Sequence, residues 1–315
     1  MIVIGVDIGG GSIKGGAIND KGKVLDTFVI PMNKEASPEE TFGNLSDTIN
    51  EFIKTHKYEE EISGVGLGIP GLIDRESGEI ASSPNMPAWL RFNVLDFMSK
   101  RIDLPIRIVN DASAAALGEA KFGSGKQYKY LIMITLGTGV GGGIVFNGKL
   151  IDGNHSQGAQ LGHGVVVLNG RQCNCGRKGC LEAYASATAL TKQTELAIKD
   201  NPDGLLAKHA KELGKVNARV AFDVAKMGDK EGQRLVDEYV MYLSEGLLNF
   251  CNTFRPDVIV LSGGVANEGD YLVSRVKKYM KEKEFGYKNS PEVEVKVAEL
   301  GYDSGKIGAA SLFFE

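Results

Sequence analysis

Apolar and polar positions divide the chain into short β-branched runs and longer stretches of helical spacing. Residues 2–7 (IVIGVD) form an apolar run that stops at a glycine turn, and 13–18 (IKGGAI) and 23–29 (KVLDTFV) read as two more strands. Asn19, Asp20, Lys21 and Gly22 supply hairpin-turn chemistry between them. Ser37-Pro38-Glu39-Glu40 then reads as a helix start, with Ser37 as N-cap, Pro38 in the first turn and Glu40 completing a capping box. Phe42, Leu45, Ile49 and Ile53 continue at helical spacing and predict one buried stripe. Strands are expected at 63–69 and 106–110, the second running directly into an alanine-rich helix from Asp111 to about Ala120.

The plan then starts again. Residues 130–152 (YLIMITLGTGVGGGIVFNGKLID) repeat the order of 2–26: buried strand, glycine-rich turn, second strand, Asn/Gly turn, third short strand. Helical patterns fill 181–252. A strand at 257–264, a helix near 270–283, a strand at 292–298 and a closing helix near 304–315 complete the pass. Alternating strands and helices make this an α/β protein with much parallel sheet, and the weak duplication predicts two α/β domains of like topology facing each other.

Composition changes this picture in three ways. Glycine accounts for 41 of 315 residues, about twice the usual ~7%, and the expectation is that these glycines sit in specific turns. Net charge is −4 and the lysines and arginines are dispersed, which disfavours nucleic acid. No apolar run reaches the ~18 residues of a membrane span, and the N-terminus has no basic n-region or cleavage site. The expectation is a cytoplasmic, reducing setting, where thiols are more often metal ligands than disulfides.

Two glycine loops, DIGGGSIKGG (7–16) and TLGTGVGGG (135–143), each end a buried strand. Glycines there permit positive φ and let backbone N–H groups approach an anion, phosphate above all. Neither loop is a Walker A, since no Gly-Lys-Ser/Thr closes it, and neither opens a Rossmann helix, since a strand follows each. A single loop of this kind is as readily a plain hairpin. Two matched loops carrying Ser12 and Thr138, and a third (LSGGVA, 261–266) after another buried strand, read together as one nucleotide site in a cleft between domains. Its candidates are Gly9, Gly10, Gly11, Ser12, Gly137, Thr138, Gly139, Gly263 and Gly264.

With these motifs in view, the chain resembles the ROK family of sugar kinases and related repressors, within the actin/hexokinase-like ATPase superfamily. VDIGGGSIKGGAI resembles the first phosphate motif, ITLGTGVGGGIVFNGKL the second, and LSGGVA the adenosine motif; NDASAAALGEA and the cysteine loop also match. The resemblance covers essentially the whole chain. It implies two duplicated ribonuclease-H-like, actin-like ATPase domains flanking a cleft: residues 1–118 plus 303–315, and 119–302 with a zinc-binding loop. It also implies ATP with Mg²⁺, a hexose substrate and a homodimer. Ser12 stands where threonine is usual, a minor departure because both carry a hydroxyl.

Three of the four cysteines fall within NGRQCNCGRKGC (169–180). With His163 upstream, Cys173, Cys175 and Cys180 form a Cys₃His set, a common zinc composition, and the flanking glycines supply the sharp backbone that a C-x-C step requires. Unliganded thiols are the plain alternative; the resemblance implies zinc. Four protein ligands leave no open position, so the metal is structural. The same family loop borders the sugar, so the metal would fix a pocket floor, with one His163 nitrogen on zinc and the other free for a sugar hydroxyl. Cys251, in an apolar helical pattern, reads as a small core residue.

Asp111 follows a buried strand and starts a helix. Position alone favours an ordinary N-cap, although strand C-terminal ends are also where open α/β sheets hold ligands. The resemblance implies that Asp111 is the general base for a sugar hydroxyl, the 6-OH, in phosphoryl transfer. Asp7 is the carboxylate nearest Mg²⁺, or else a buried acid satisfying loop N–H groups. Lys14 is equally a phosphate-neutralising cation or a solvated strand lysine. For the sugar, the resemblance points to Asn85, Asn110, Gln160, His163 and Glu182; Asn85 between two prolines also reads as a turn residue, and Glu182 as a helix start. Gln160 departs from the family, whose kinases have glutamate there. An amide donates as well as accepts and forgoes a charge-assisted bond, so recognition near the sugar's C1/C2 end is expected to differ. The rival readings are a sugar-responsive repressor, disfavoured because strand 1 starts at Ile2 and leaves no room for a DNA-binding helix-turn-helix, and a kinase fold that binds sugar without turnover. The identity of the hexose, and ATP against polyphosphate as donor, are not legible.

Overall fold

Strands β1 (Ile2–Ile8), β2 (Ser12–Asn19) and β3 (Val24–Pro31) open the chain, followed by helix α1 (Pro38–Thr55), strands β4 (Ile62–Ile69), β5 (Leu72–Ile73) and β6 (Ile80–Ser82), helix α2 (Val94–Ser99), strand β7 (Ile106–Asn110) and helix α3 (Asp111–Phe122). Strands β8 (Tyr130–Leu136), β9 (Val140–Phe146) and β10 (Lys149–Leu150) come next, then helices α4 (Glu182–Ala185), α5 (Ala187–Asp200), α6 (Leu205–Glu212), α7 (Ala218–Lys226) and α8 (Lys230–Phe254). Strand β11 (Val258–Ser262), helix α9 (Asp270–Lys283), strand β12 (Glu294–Val297) and helix α10 (Ser304–Ala310) finish it. This computed structural model describes residues 1–56, 58, 61–84, 86–285 and 289–314. Two units separate: Met1–Leu131 with Gly143–Ala159 and Glu299–Glu315, and Ile132–Gly142 with Gln160–Ala298.

The duplication read from the sequence is present in the sheets. One runs β3-β2-β1-β4-β7 and the other β10-β9-β8-β11-β12, the same order with each strand replaced by its counterpart. In the first, β1 pairs antiparallel with β2 and parallel with β4, and β4 pairs parallel with β7. The second repeats the antiparallel β9–β10 and parallel β11–β12 pairs. The α1 start is as expected: Ser37 Oγ accepts from the Glu40 N–H at 3.1 Å. The span 181–252 is not continuous helix but five helices, and the closing helix stops at Ala310. The β5–β6 hairpin and α2 were not anticipated, being too short to establish a period.

Alternation along β1 sorts its side chains. Ile2, Ile4, Val6 and Ile8 join Phe42, Leu45 and Ile49 of α1 in one core, while Val3 packs with Ile307, Ala310 and Phe314 in another. On this second face glycine takes the place of side chains. A Cβ on Gly5 would lie 1.9 Å from the Lys306 carbonyl oxygen, one on Gly66 2.0 Å from that of Ala309, and one on Gly308 1.6 Å from that of Ala114. Helices α3 and α10 therefore lie backbone-close to each other and to the sheet. This corrects the expectation that the glycines sit in turns: many line strands and helices, where the missing Cβ is needed for space and not for φ.

Candidate active site

In the first unit the junction of β7 and α3 carries Asn110 and Asp111. Asn110 is the N-cap: its Oδ1 accepts from the N–H groups of Ala112 at 3.0 Å and Ser113 at 3.1 Å. Asp111, one residue on, is thereby released from capping, which removes the plain reading of that residue. The Asn110 amide also donates to the Gly71 carbonyl at 2.9 Å and to Asp111 Oδ1 at 3.0 Å, and the Ala112 N–H donates to the same Oδ1 at 2.9 Å. The carboxylate is held by one oxygen in a fixed orientation. Burial first, and then the charge of Asp7, push its pKa up to about 6, against the opposing pull of the Ala112 N–H and the Asn110 amide. Asn110 thus acts on Asp111 as an orienter in this structure.

Asp7 lies opposite Lys14 in the β1–β2 pairing and against α10, where a Cβ on Gly305 would come within 2.6 Å of its Cγ. Burial raises its pKa, while Lys14 and Lys306 pull it down. Lys14 is not simply solvated: its Nζ sits 4.7 Å from the centroid of the Tyr302 ring. A buried carboxylate oxygen is the donor that a hard cation takes, and Asp7 is the residue that would hold Mg²⁺. In the adjoining loop the Gly9 N–H donates to the Ser12 carbonyl at 3.0 Å. None of Gly9, Gly10, Gly11, Gly137 or Gly139 has a left-handed φ, so backbone freedom is not why they are glycine. A Cβ on Gly10, Gly11 or Gly137 would meet nothing within 4 Å. These positions are bare where the surrounding space is open.

In the second unit Gly263, at φ +86°, lies with its Cα against the end of β8, where a Cβ would sit 2.6 Å from the Leu136 carbonyl oxygen. The second and third glycine loops are thereby brought together. Thr138 and Gly264 from them line a cavity of about 770 Å³ with Thr188, Thr191, Asn217 and Phe222. The loop motifs pointed to Thr138 and Gly264; the helical wall was missed. Its signal was present, since Thr188, Thr191, Lys192 and Glu195 recur on one polar stripe of α5, but a polar stripe is also what any solvated helix shows.

The thiol loop folds as a cluster in the same unit. His163 ends a 3₁₀ turn, Leu161–His163, and its Nδ1 lies 3.7 Å from Cys173 Sγ; Cys175 and Cys180 Sγ are 3.6 Å apart. All four donor atoms lie within 4.8 Å of one another. The 3.6 and 3.7 Å separations match the edges of a tetrahedron with zinc–sulfur bonds of ~2.3 Å. Burial holds the Cys173 thiol up at about 12, and a divalent cation is the ordinary means of converting such packed thiols to thiolates. Residue 179 must be glycine: its φ is +84°, and a Cβ would lie 1.8 Å from the Val167 carbonyl oxygen. Glu182, the first residue of α4, receives the Val140 N–H on Oε2 at 3.0 Å and lies 3.4 Å from Cys173 Sγ through Oε1. It therefore ties the thiol loop to the second glycine loop. Gln160 is exposed, and its carbonyl accepts from the His163 N–H at 3.0 Å. Asn85 lies outside the described residues.

Residues 3–315 match the ROK family. The chain belongs to the ROK family. A glucokinase of Thermotoga maritima is 36% identical over 316 residues, covering 99% of this chain and 97% of the relative. The crystal structure of a ROK family glucokinase from Streptomyces griseus in complex with glucose and AMPPNP superposes with a TM-score of 0.82 at 31% identity, covering 99% of both chains. A xylose repressor of Bacillus spizizenii is 28% identical across 99% of this chain but 77% of its own length. ROK membership accounts for the paired five-stranded sheets, the actin-like ATPase fold. Among the described residues no helix is long and apolar enough to cross a membrane.

Proposed function

We propose that this protein is an ATP-dependent hexose kinase in which Asp111 is the general base. The observation that carries the reading is the Asn110–Asp111 pair: a capping asparagine that frees and orients a carboxylate with pKa about 6 at a strand's C-terminal end. A base with that affinity is ionised at neutral pH and still takes up a proton readily. Asp111 accepts the proton of a sugar hydroxyl, assigned as 6-OH, as that oxygen bonds to the γ-phosphorus and the bond from γ-phosphorus to the β–γ bridging oxygen breaks, leaving ADP. Mg²⁺, when bound with the nucleotide, supplies charge neutralisation on the phosphates. The open glycine positions 10, 11 and 137 leave backbone N–H groups approachable by phosphate, and the cavity beside Thr138 and Gly264 is the nucleoside pocket. Glucokinase relatives that span nearly the whole chain support the substrate class. The test is ADP release coupled to NADH oxidation across glucose, fructose, mannose, allose and N-acetylmannosamine. Sugar-dependent release supports the reading, and saturable sugar binding without any ADP overturns it.

His163, Cys173, Cys175 and Cys180 hold a structural zinc in this reading, and Asn110, Gln160, His163 and Glu182 are assigned to sugar recognition. Elemental analysis of the purified protein is expected to give about one zinc per chain, lost in Cys180→Ser together with thermal stability; a metal-free wild type of unchanged melting temperature would refute it. Gln160 sets hexose preference. Gln160→Glu restores a charge-assisted acceptor and is expected to raise kcat/KM for glucose about 5–10-fold relative to the other hexoses. An unchanged ranking across the panel would exclude that role.

A further inference from the structure

Between β10 and Gln160 the chain follows an unfavourable path. His155, Ser156 and Ala159 have φ of +52°, +54° and +56°, although none is glycine. Residues with a Cβ avoid this left-handed region, and such backbone persists only where the surrounding structure over-determines it. Here the surroundings can be named. Two side-chain pairs join this strap, residues 152–159, to the β5–β6 turn, 77 and 81 residues earlier. Arg75 Nη1 lies 2.7 Å from Asp152 Oδ2, and His155 Nδ1 lies 3.0 Å from Asp74 Oδ2. The two carboxylates are mostly buried, at 18% and 17% exposed. Asp74 is itself fixed, since its Oδ1 accepts from the Glu76 and Ser77 N–H groups at 2.9 and 3.2 Å. Asp152 also closes the base of the strap: its carbonyl accepts from the Gly158 N–H at 2.6 Å, and a Cβ on residue 158 would lie 2.8 Å from that oxygen.

We propose that Arg75 and Asp152 are a positioning pair for hexose recognition: their ion pair holds the strap in its left-handed path and so fixes the direction in which the backbone enters Gln160. This rests on the kinase reading and on the sugar role that reading gives to Gln160. Ala159 directly precedes Gln160, so a strap that relaxes to negative φ turns the intervening peptide and re-aims the amide side chain. His155, 63% exposed, adds the weaker tie. The half-buried Arg75–Asp152 pair, with a short charge-assisted bond, is the firmer one. The same turn is anchored at its other end to the support of Asp111. Strand β5 starts at Leu72, and the Gly71 carbonyl before it receives the Asn110 amide that also donates to Asp111. Residues 71–75 thus brace Asn110 at one end and the strap at the other.

The experiment compares wild type, Arg75→Ala, Arg75→Lys, Asp152→Ala, Gln160→Ala and the double variant Asp152→Ala/Gln160→Ala. It measures steady-state kinetics in hexose and in MgATP, hexose binding by calorimetry, and amide hydrogen exchange across residues 153–160. Arg75→Ala and Asp152→Ala are each expected to lower kcat/KM for the preferred hexose about tenfold, with a matching rise in calorimetric Kd, while KM for MgATP stays within about twofold. Amide exchange in the strap quickens in both, because the local opening is no longer opposed by the pair. Arg75→Lys recovers part of the loss, since an ammonium restores the charge without the guanidinium's geometry. In the Gln160→Ala background Asp152→Ala costs no more than about a further twofold, because the pair acts through that residue. Wild-type hexose affinity in both alanine variants, or an undiminished loss once the Gln160 side chain is gone, overturns the inference and leaves the kinase reading standing. A loss shared equally by MgATP and hexose, or one that tracks the melting temperature, assigns the pair to the fold and likewise overturns it. A wild type that binds hexose but releases no ADP overturns the kinase reading, while the calorimetric comparison still decides the role of the strap.

Discussion

Asp111→Asn is expected to lower kcat by about 10²–10⁴-fold, the range that a positioned general base contributes, while hexose binding by calorimetry stays within a few-fold of wild type. Asparagine keeps the oxygen that accepts from Ala112 N–H and Asn110 Nδ2, so the helix start survives and the missing function is proton acceptance. The pH dependence follows from the carboxyl's value of about 6, set by burial and by Asp7. The active form is the carboxylate, so kcat/KM rises with pH to a plateau above about 6 and falls about tenfold per unit below it. Stability moves the other way. A folded-state value raised above 3.8 means that the folded protein binds this proton more tightly than the unfolded chain does. The resulting stability is present below 3.8 and is lost as pH climbs through about 6, a difference of order 3 kcal/mol. The asparagine variant should therefore melt higher than wild type at pH 8, with the gap closing below pH 4. Full turnover in Asp111→Asn would exclude the mechanism. A variant less stable at pH 8 would mean that the carboxylate serves the fold rather than strains it.

The largest stability effect is expected at Glu119, which is fully buried. Its carboxylate receives the Ser124 N–H at 2.9 Å and hydroxyl at 3.1 Å, the Glu299 N–H at 3.1 Å and the Leu300 N–H at 2.8 Å. It pins the end of α3 to the segment that leads into α10, close to 180 residues away in sequence. Glu119→Ala strands three backbone donors and a hydroxyl and opens a cavity, at a cost of about 3–5 kcal/mol. The melting temperature should fall by roughly 10 °C. Glu119→Gln keeps the shape but turns an NH₂ toward N–H donors, and should fall between the two. A melting temperature for the alanine variant within about 2 °C of wild type would show that water satisfies these groups as well as the carboxylate does.

Much of the chemistry was legible because it is written in short contiguous strings. The loops at 7–16 and 135–143, the junction Asn110-Asp111 and the thiol run at 173–180 each occupy one short contiguous stretch of chain. The duplicated strand order was legible for the same reason: apolar runs and Asn/Gly turns recur in one sequence of types, and the two sheets follow it. The role of Asn110 was not fully legible. Its capping bonds are local, but its bond to Gly71 spans 39 residues and exists only once β7 lies beside β4.

The sequence alone determined most of the elements, the short β5, β6 and α2 excepted, because capping, alternation and turn geometry act over a few residues. Tertiary structure decided what those side chains do. It set Gly5 and Gly66 as seats for α10 rather than turn residues, took Asp111 out of capping, drew a cavity along a polar stripe of α5, and buried Glu119 against partners far along the chain. Desolvation and charge pairing depend on what the folded chain brings close, and a lysine or glutamate that reads as solvent-facing in one dimension becomes a fixed charge only when the protein closes around it.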